Sequence, residues 1–158
     1  MIIPNSYIAL ILTFHVLLYA FPWLEFKIHQ ENINQSDSLV FVRNSDGVPE
    51  TMSFDELLTA LKGEKQHWDS GKKVKIALMK TSTVTGKLVT EHIYNMSTNQ
   101  FQKYWLTKVF QGYGVSPKFF TSVEELKNYI KSTPGTISIL KSDDCDGLDR
   151  IEVISNPN

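Results

Sequence analysis

Cysteine is nearly missing from this chain. Cys145 stands alone, so no disulfide can form within the molecule in any compartment. Flanked by Asp144 and Asp146, it reads as an exposed loop thiol whose acidic neighbours disfavour the thiolate that nucleophilic chemistry needs. An excess of positive charge is missing too. The formal net charge is -1, which gives no electrostatic footprint for tracking nucleic-acid phosphates. Catalytic signatures are absent as well. The four histidines, His15, His29, His67 and His92, form no H-E-x-x-H pair, and no G-x-S-x-G or G-x-x-x-x-G-K-[ST] run occurs. His92 reads as a buried or half-buried imidazole on its helix. Asp143, Asp144, Asp146 and Asp149 crowd one loop without the glutamate that completes an EF-hand, so a solvated acidic loop is expected there. Neither an enzyme class nor a metal or organic cofactor is indicated.

What is present is an ordinary globular composition. With 158 residues, 42% of them apolar and 21% charged, the chain is long enough for one domain with its own core. Tyr7 to Leu24 is almost wholly apolar, YIALILTFHVLLYAFPWL. Its length is at the lower edge of a spanning helix, which needs ~20 residues, and it also has the form of a secretory apolar region. No Lys or Arg precedes it. An export signal and an uncleaved anchor through which the chain touches a membrane are the two readings, with a buried helix as a third. Glu25 to Asp37 is polar and without apolar period, a linker. The folded domain is expected over 38–158.

Within that domain the patterns alternate between strand and helix. Leu39–Val42 and Val74–Met79 read as buried strands, as do Thr136–Leu140 and Ile151–Ile154. Ser53 with Glu56 forms a capping box ahead of the stripe Phe54, Leu57, Leu58 and Leu61, and Gly63 ends that helix. A second box, Ser97 with Gln100, opens a helix whose stripe is Phe101, Tyr104, Trp105 and Val109. Ser122 caps a third helix, with Glu125 expected to reach back to it, and Val123, Leu126 and Ile130 on its inner face. Another helix over 86–94 carries Leu88, Val89, His92 and Ile93. Trp68 is the one large apolar group in a polar loop, and packing with its N–H on a carbonyl is expected.

The candidate site is the run between the second strand and this last helix. Thr81, Ser82, Thr83 and Thr85 offer hydroxyls, and Lys87 offers an ammonium. A helix N-terminus beside them supplies unpaired N–H groups and about half a positive charge, the equipment for an oxyanion. Capping alone is the competing explanation for hydroxyls in that position. Gly112-Tyr113-Gly114 with Ser116 is a second place where backbone can approach a ligand.

Across the domain a set of short phrases recurs in order: Ser53 to Leu57, Lys62-Gly63, Trp68-Asp69-Ser70-Gly71, Tyr104-Trp105, Phe110, Gly112-Tyr113-Gly114, Pro117, Ser122, Glu125, Ile130, Pro134-Gly135 and Ile137. This wording resembles the short phosphate-type substrate-binding proteins of ABC transporters, in the periplasmic-binding-protein-like superfamily. The resemblance implies a single α/β domain of the type II periplasmic-binding-protein-like kind, a mixed sheet flanked by helices behind an apolar N-terminal helix. It implies a non-catalytic, extracytoplasmic solute-binding-like protein for phosphate or a similar oxyanion, serving an ABC transporter permease or a sensor. The alternative is a membrane-tethered interaction module that keeps the fold without the ligand. Two departures bear on the choice: Ser138 replaces a glycine of the pattern, and Gly86 falls where the family has an arginine.

Overall fold

In the computed structural model, residues 38–112 and 116–155 are described. The apolar segment Tyr7 to Leu24, its linker and the Tyr113-Gly114 pair lie outside them. Among the described residues seven strands and four α-helices follow the order β1 (Leu39–Arg43), β2 (Thr51–Ser53), α1 (Phe54–Leu61), β3 (Lys75–Met79), α2 (Val84–His92), α3 (Thr98–Phe110), β4 (Lys118–Phe120), α4 (Val123–Ser132), β5 (Thr136–Lys141), β6 (Asp149–Arg150) and β7 (Glu152–Ile154). None of the described helices is long and apolar enough to cross a membrane.

Five strands form a mixed sheet in the order β4-β3-β5-β1-β6. β3 runs parallel to both β4 and β5, while β1 is antiparallel to β5 and to β6. Side chains alternate across a strand, and here the alternation divides the core in two. Phe41, Ile76, Leu78, Ile137 and Ile139 point to a layer that holds Leu57 and Leu61 of α1, Val89 of α2, and Phe101 and Trp105 of α3. Val42, Ala77, Met79, Phe120 and Leu140 point the other way, onto Leu126 and Ile130 of α4. Covered on both faces, β3 is a continuous apolar run from Ile76 to Met79 rather than an alternating one, whereas β5 buries Thr136 and Ser138 along with its apolar residues.

The capping chemistry forms as the sequence dictates. Ser53 accepts from the Glu56 amide while the Glu56 carboxylate takes the Ser53 amide, and Ser97 and Gln100 do the same at α3. At α4 the Ser122 hydroxyl accepts from the Glu125 amide, but Glu125 does not close the box. The far end of α1 is held by tyrosines: Tyr94 donates to the Leu61 carbonyl and Tyr104 to that of Lys62, each at 2.8 Å. Burial pushes both phenol pKa values up, so both hydroxyls stay protonated donors.

Several expectations need correction. The strand expected over Ile151–Ile154 starts one residue later, as β7: buried Ile151 donates its amide to the Phe41 carbonyl between β6, which pairs with β1, and β7, which pairs in parallel with β2. β2 and β4, three residues each, are too short to show a period. The helix expected over 86–94 starts at Val84, since Thr83 rather than a later residue is its cap. Val109 and His92 face solvent, α3 and α2 covering the core with narrower stripes than their apolar residues suggest. Cys145 is buried, its thiol donating to the Lys141 carbonyl at 3.1 Å. Chiefly through that burial its pKa is raised, and the acidic neighbours only add to it.

Candidate functional site

The site is set by two neighbouring strands that release the chain in opposite directions. After β3 the chain turns into α2 on one face of the sheet, and after β4 it turns into α4 on the other. Between the carboxyl ends of two such strands the connections diverge and leave a crevice, which is where open α/β sheets hold their ligands. The amide of Lys80 donates to the Phe120 carbonyl at 2.8 Å and ties the two strand ends together. Directly beyond lies the predicted loop.

Each predicted side chain has a distinct place. Thr83 is the N-cap of α2: its hydroxyl accepts from the Gly86 amide at 3.1 Å and donates to the Lys80 carbonyl at 2.8 Å. That hydroxyl is therefore committed to shaping the loop. Thr85 is buried inside the first turn, so its side chain does not face the crevice. Lys87 is exposed one turn along and lies 3.9 Å from Glu91. Only Thr81 and Ser82 remain at the mouth, where they and Lys80 line one cavity. The structure thus brings together two of the five predicted residues and separates Thr83, Thr85 and Lys87 into a cap, a core contact and a helix face.

Gly86 is packed too closely to carry a side chain. A Cβ there would come within 2.0 Å of the Lys80 carbonyl oxygen, so the first turn of α2 lies directly on the loop backbone. No side chain fits at this position unless the loop moves. Lys80 is the cation that sequence reasoning passed over; its signal was its place at the end of a buried strand, a position from which it faces the crevice.

Electrostatically the crevice favours an anion. The first-turn amides of a helix have no partner within it, and the first turn of α2 carries no acidic residue. By contrast α4, which starts after the neighbouring strand, carries Glu124 and Glu125 in its first turn. Its partial positive charge is already answered. Among the described residues no group of three or more His, Cys, Asp or Glu is placed to hold a metal ion.

The cavity is an open groove of about 470 Å³. Its walls are apolar, with Phe101, Trp105, Leu106 and Val109 of α3 on one side and Phe119 of β4 on the other. Edge-to-face contacts stiffen this wall: Phe101 meets Tyr94 at 4.8 Å, Trp105 at 6.3 Å and Phe119 at 6.1 Å between ring centroids. The indole N–H of Trp105 is buried and has no acceptor among the described residues.

No protein-family profile and no curated protein matches the sequence. Solved structures do match. An ABC-type phosphate transport receptor from Vibrio cholerae superposes with a TM-score of 0.57 at 14% identity, over 77% of this chain and 48% of its own. PstS from Borrelia burgdorferi superposes with a TM-score of 0.56 at 16% identity, over 82% of this chain and 55% of its own. The fold is periplasmic-binding-protein-like. The chain spans about half the length of the receptors it matches, and at such identities the likeness concerns the fold alone.

Proposed function

We propose that this chain is a non-catalytic solute-binding-like protein that takes phosphate or a similar oxyanion at the loop from Lys80 to Thr83. The observation that carries the reading is the position of Thr81 and Ser82 at a crevice between diverging strands, beside a helix start free of carboxylates. In this arrangement the Lys80 ammonium supplies charge, Thr81 and Ser82 donate hydroxyl hydrogen bonds, and the amides of Val84 and Thr85 add the helix-terminal donors. Thr83 holds the loop in shape. The match to a phosphate transport receptor supports the choice of oxyanion and, with it, an extracytoplasmic location and service to an ABC transporter or a sensor. The apolar segment from Tyr7 to Leu24 is then the export signal or the membrane anchor.

Calorimetric titration of the purified full chain with phosphate, with sulfate as control, tests the reading. Saturable phosphate binding is expected. Lys80→Ala and Ser82→Ala should each weaken it, whereas Lys87→Ala, whose ammonium lies near Glu91, should leave it unchanged.

A second reading has its own support. On α3, Leu106, Val109 and Phe110 are 58%, 53% and 80% exposed, an apolar strip of the kind that marks interaction surfaces. A folded chain that gives no heat with either anion would favour the membrane-tethered interaction module, in which this strip meets a partner.

A further inference from the structure

The loop that offers anion donors is also one end of the apolar cavity, and the two features together define a ligand more closely than either does alone. Among the described residues Lys80 is the one charged residue in the lining, and no carboxylate lines the space. Polar groups gather at the Lys80–Ser82 end; from there to Val109 the wall is aromatic and aliphatic apart from Gln102. A bare inorganic anion would occupy the polar end and leave the apolar wall wet. With a volume of about 470 Å³, the cavity falls within the ~300–1,000 Å³ range of small-molecule sites, whose usual pattern is an apolar lining with a few placed polar groups.

We infer that the preferred ligand is an organic oxyanion, a phosphonate or phosphate monoester whose apolar substituent lies along Phe101, Leu106, Val109 and Phe119 while its anionic head sits at Lys80, Thr81 and Ser82. This rests on the oxyanion reading of the loop and narrows its substrate class. Charge complementarity favours this occupant: a neutral apolar molecule would ignore the Lys80 end, and a cation would be repelled by it. The aromatic wall supplies area rather than hydrogen bonds, so the gain over inorganic phosphate comes from removing the substituent from water.

Competition between three probes on the full chain decides the matter. Inorganic phosphate reports the head-group site, benzyl alcohol the apolar wall alone, and phenylphosphonate both. Phenylphosphonate is expected to bind on the order of 10- to 100-fold more tightly than phosphate, the range that burial of one aromatic ring supports. Leu106→Gln, at a position already largely exposed, should remove most of that advantage and leave phosphate affinity unchanged. Phosphate binding with no preference for phenylphosphonate would overturn the inference and keep the oxyanion reading. A preference that survives Leu106→Gln would also overturn it, as would benzyl alcohol binding as tightly as phenylphosphonate. Failure of both anions to bind would remove the oxyanion reading and the inference with it.

Discussion

The indole N–H of Trp68 donates to the carbonyl of Gly135 at 2.8 Å, joining the loop before β3 to the turn before β5. Gly135 also accepts from the Lys75 amide and donates to Asp46, so three loops meet on one residue. Its φ of 78° is the left-handed region that glycine adopts without penalty, and a Cβ there would press on the Lys73 carbonyl at 2.3 Å.

Trp68→Phe keeps most of the buried ring and loses the hydrogen bond, leaving the Gly135 carbonyl to the Lys75 amide. A loss of about 1 kcal/mol is expected, against about 3–5 kcal/mol for Trp68→Ala. Urea denaturation of the two variants separates the bond from the packing. Equal losses would show that the hydrogen bond contributes all of the effect.

Gly86→Ala should destabilise by about 1–3 kcal/mol through overpacking, since the methyl meets backbone that cannot rotate away. Because that backbone belongs to Lys80, the same variant should weaken phosphate binding although no contact to the ligand is removed. Thermal unfolding and titration of one preparation measure both. A stable variant with intact binding would mean that the first turn of α2 can lift off the loop freely.

The capping box at α1 makes a pH-dependent prediction. Hydrogen bonds from the Ser53 backbone and then its side chain hold the Glu56 carboxyl below its ordinary value of 4.5. A folded-state pKa below the unfolded one adds stability that is fully present above about pH 4.5 and is lost as the pH falls through the folded value. Ser53→Ala should cost about 1 kcal/mol at pH 7. Below pH 4 the gap to the parent chain should narrow, as read from urea midpoints at both pH values. A gap independent of pH would remove Glu56 from the cap energetics.

Ser138 sits fully buried in the middle of β5, flanked in register by Val42 and Ala77, and its hydroxyl has no partner among the described residues. Removing an unpaired buried hydroxyl removes its desolvation cost. Ser138→Ala is expected to raise stability by about 1 kcal/mol. A loss of similar size would reveal that the hydroxyl is satisfied in solution.

Most of the architecture could be read from local chemistry. Ser53, Ser97 and Ser122 announce three helices because a capping hydroxyl is a short-range device, and Ile76 to Met79 announces a buried strand because both its faces are covered. What sequence hides is anything decided by distant partners. Lys118–Phe120 becomes a strand only because Ala77, Leu78 and Met79 lie alongside it. Cys145 is buried by the fold around its loop, against which its acidic neighbours argue. At the candidate site, the position of the loop between β3 and α2 could be read from sequence and the contacts of its residues could not. Whether a threonine caps, packs or faces a crevice depends on the helix start, which lies two residues earlier than the pattern suggests. Gly86 lies so close to Lys80 that its meaning required the backbone geometry.

The side-chain amide of Asn44 donates to the carbonyls of Ile130 and Lys131 at 2.7 and 3.0 Å, so the last turn of α4 is finished by a residue just beyond β1. Among the described residues β1 itself pairs only with β5 and β6. During synthesis, then, the earliest strand of the domain leaves the ribosome with nothing to pair with, and must wait until about a hundred further residues have followed it. Its apolar side chains, Phe41 on one face and Val42 on the other, are the surface that a chaperone would meet first.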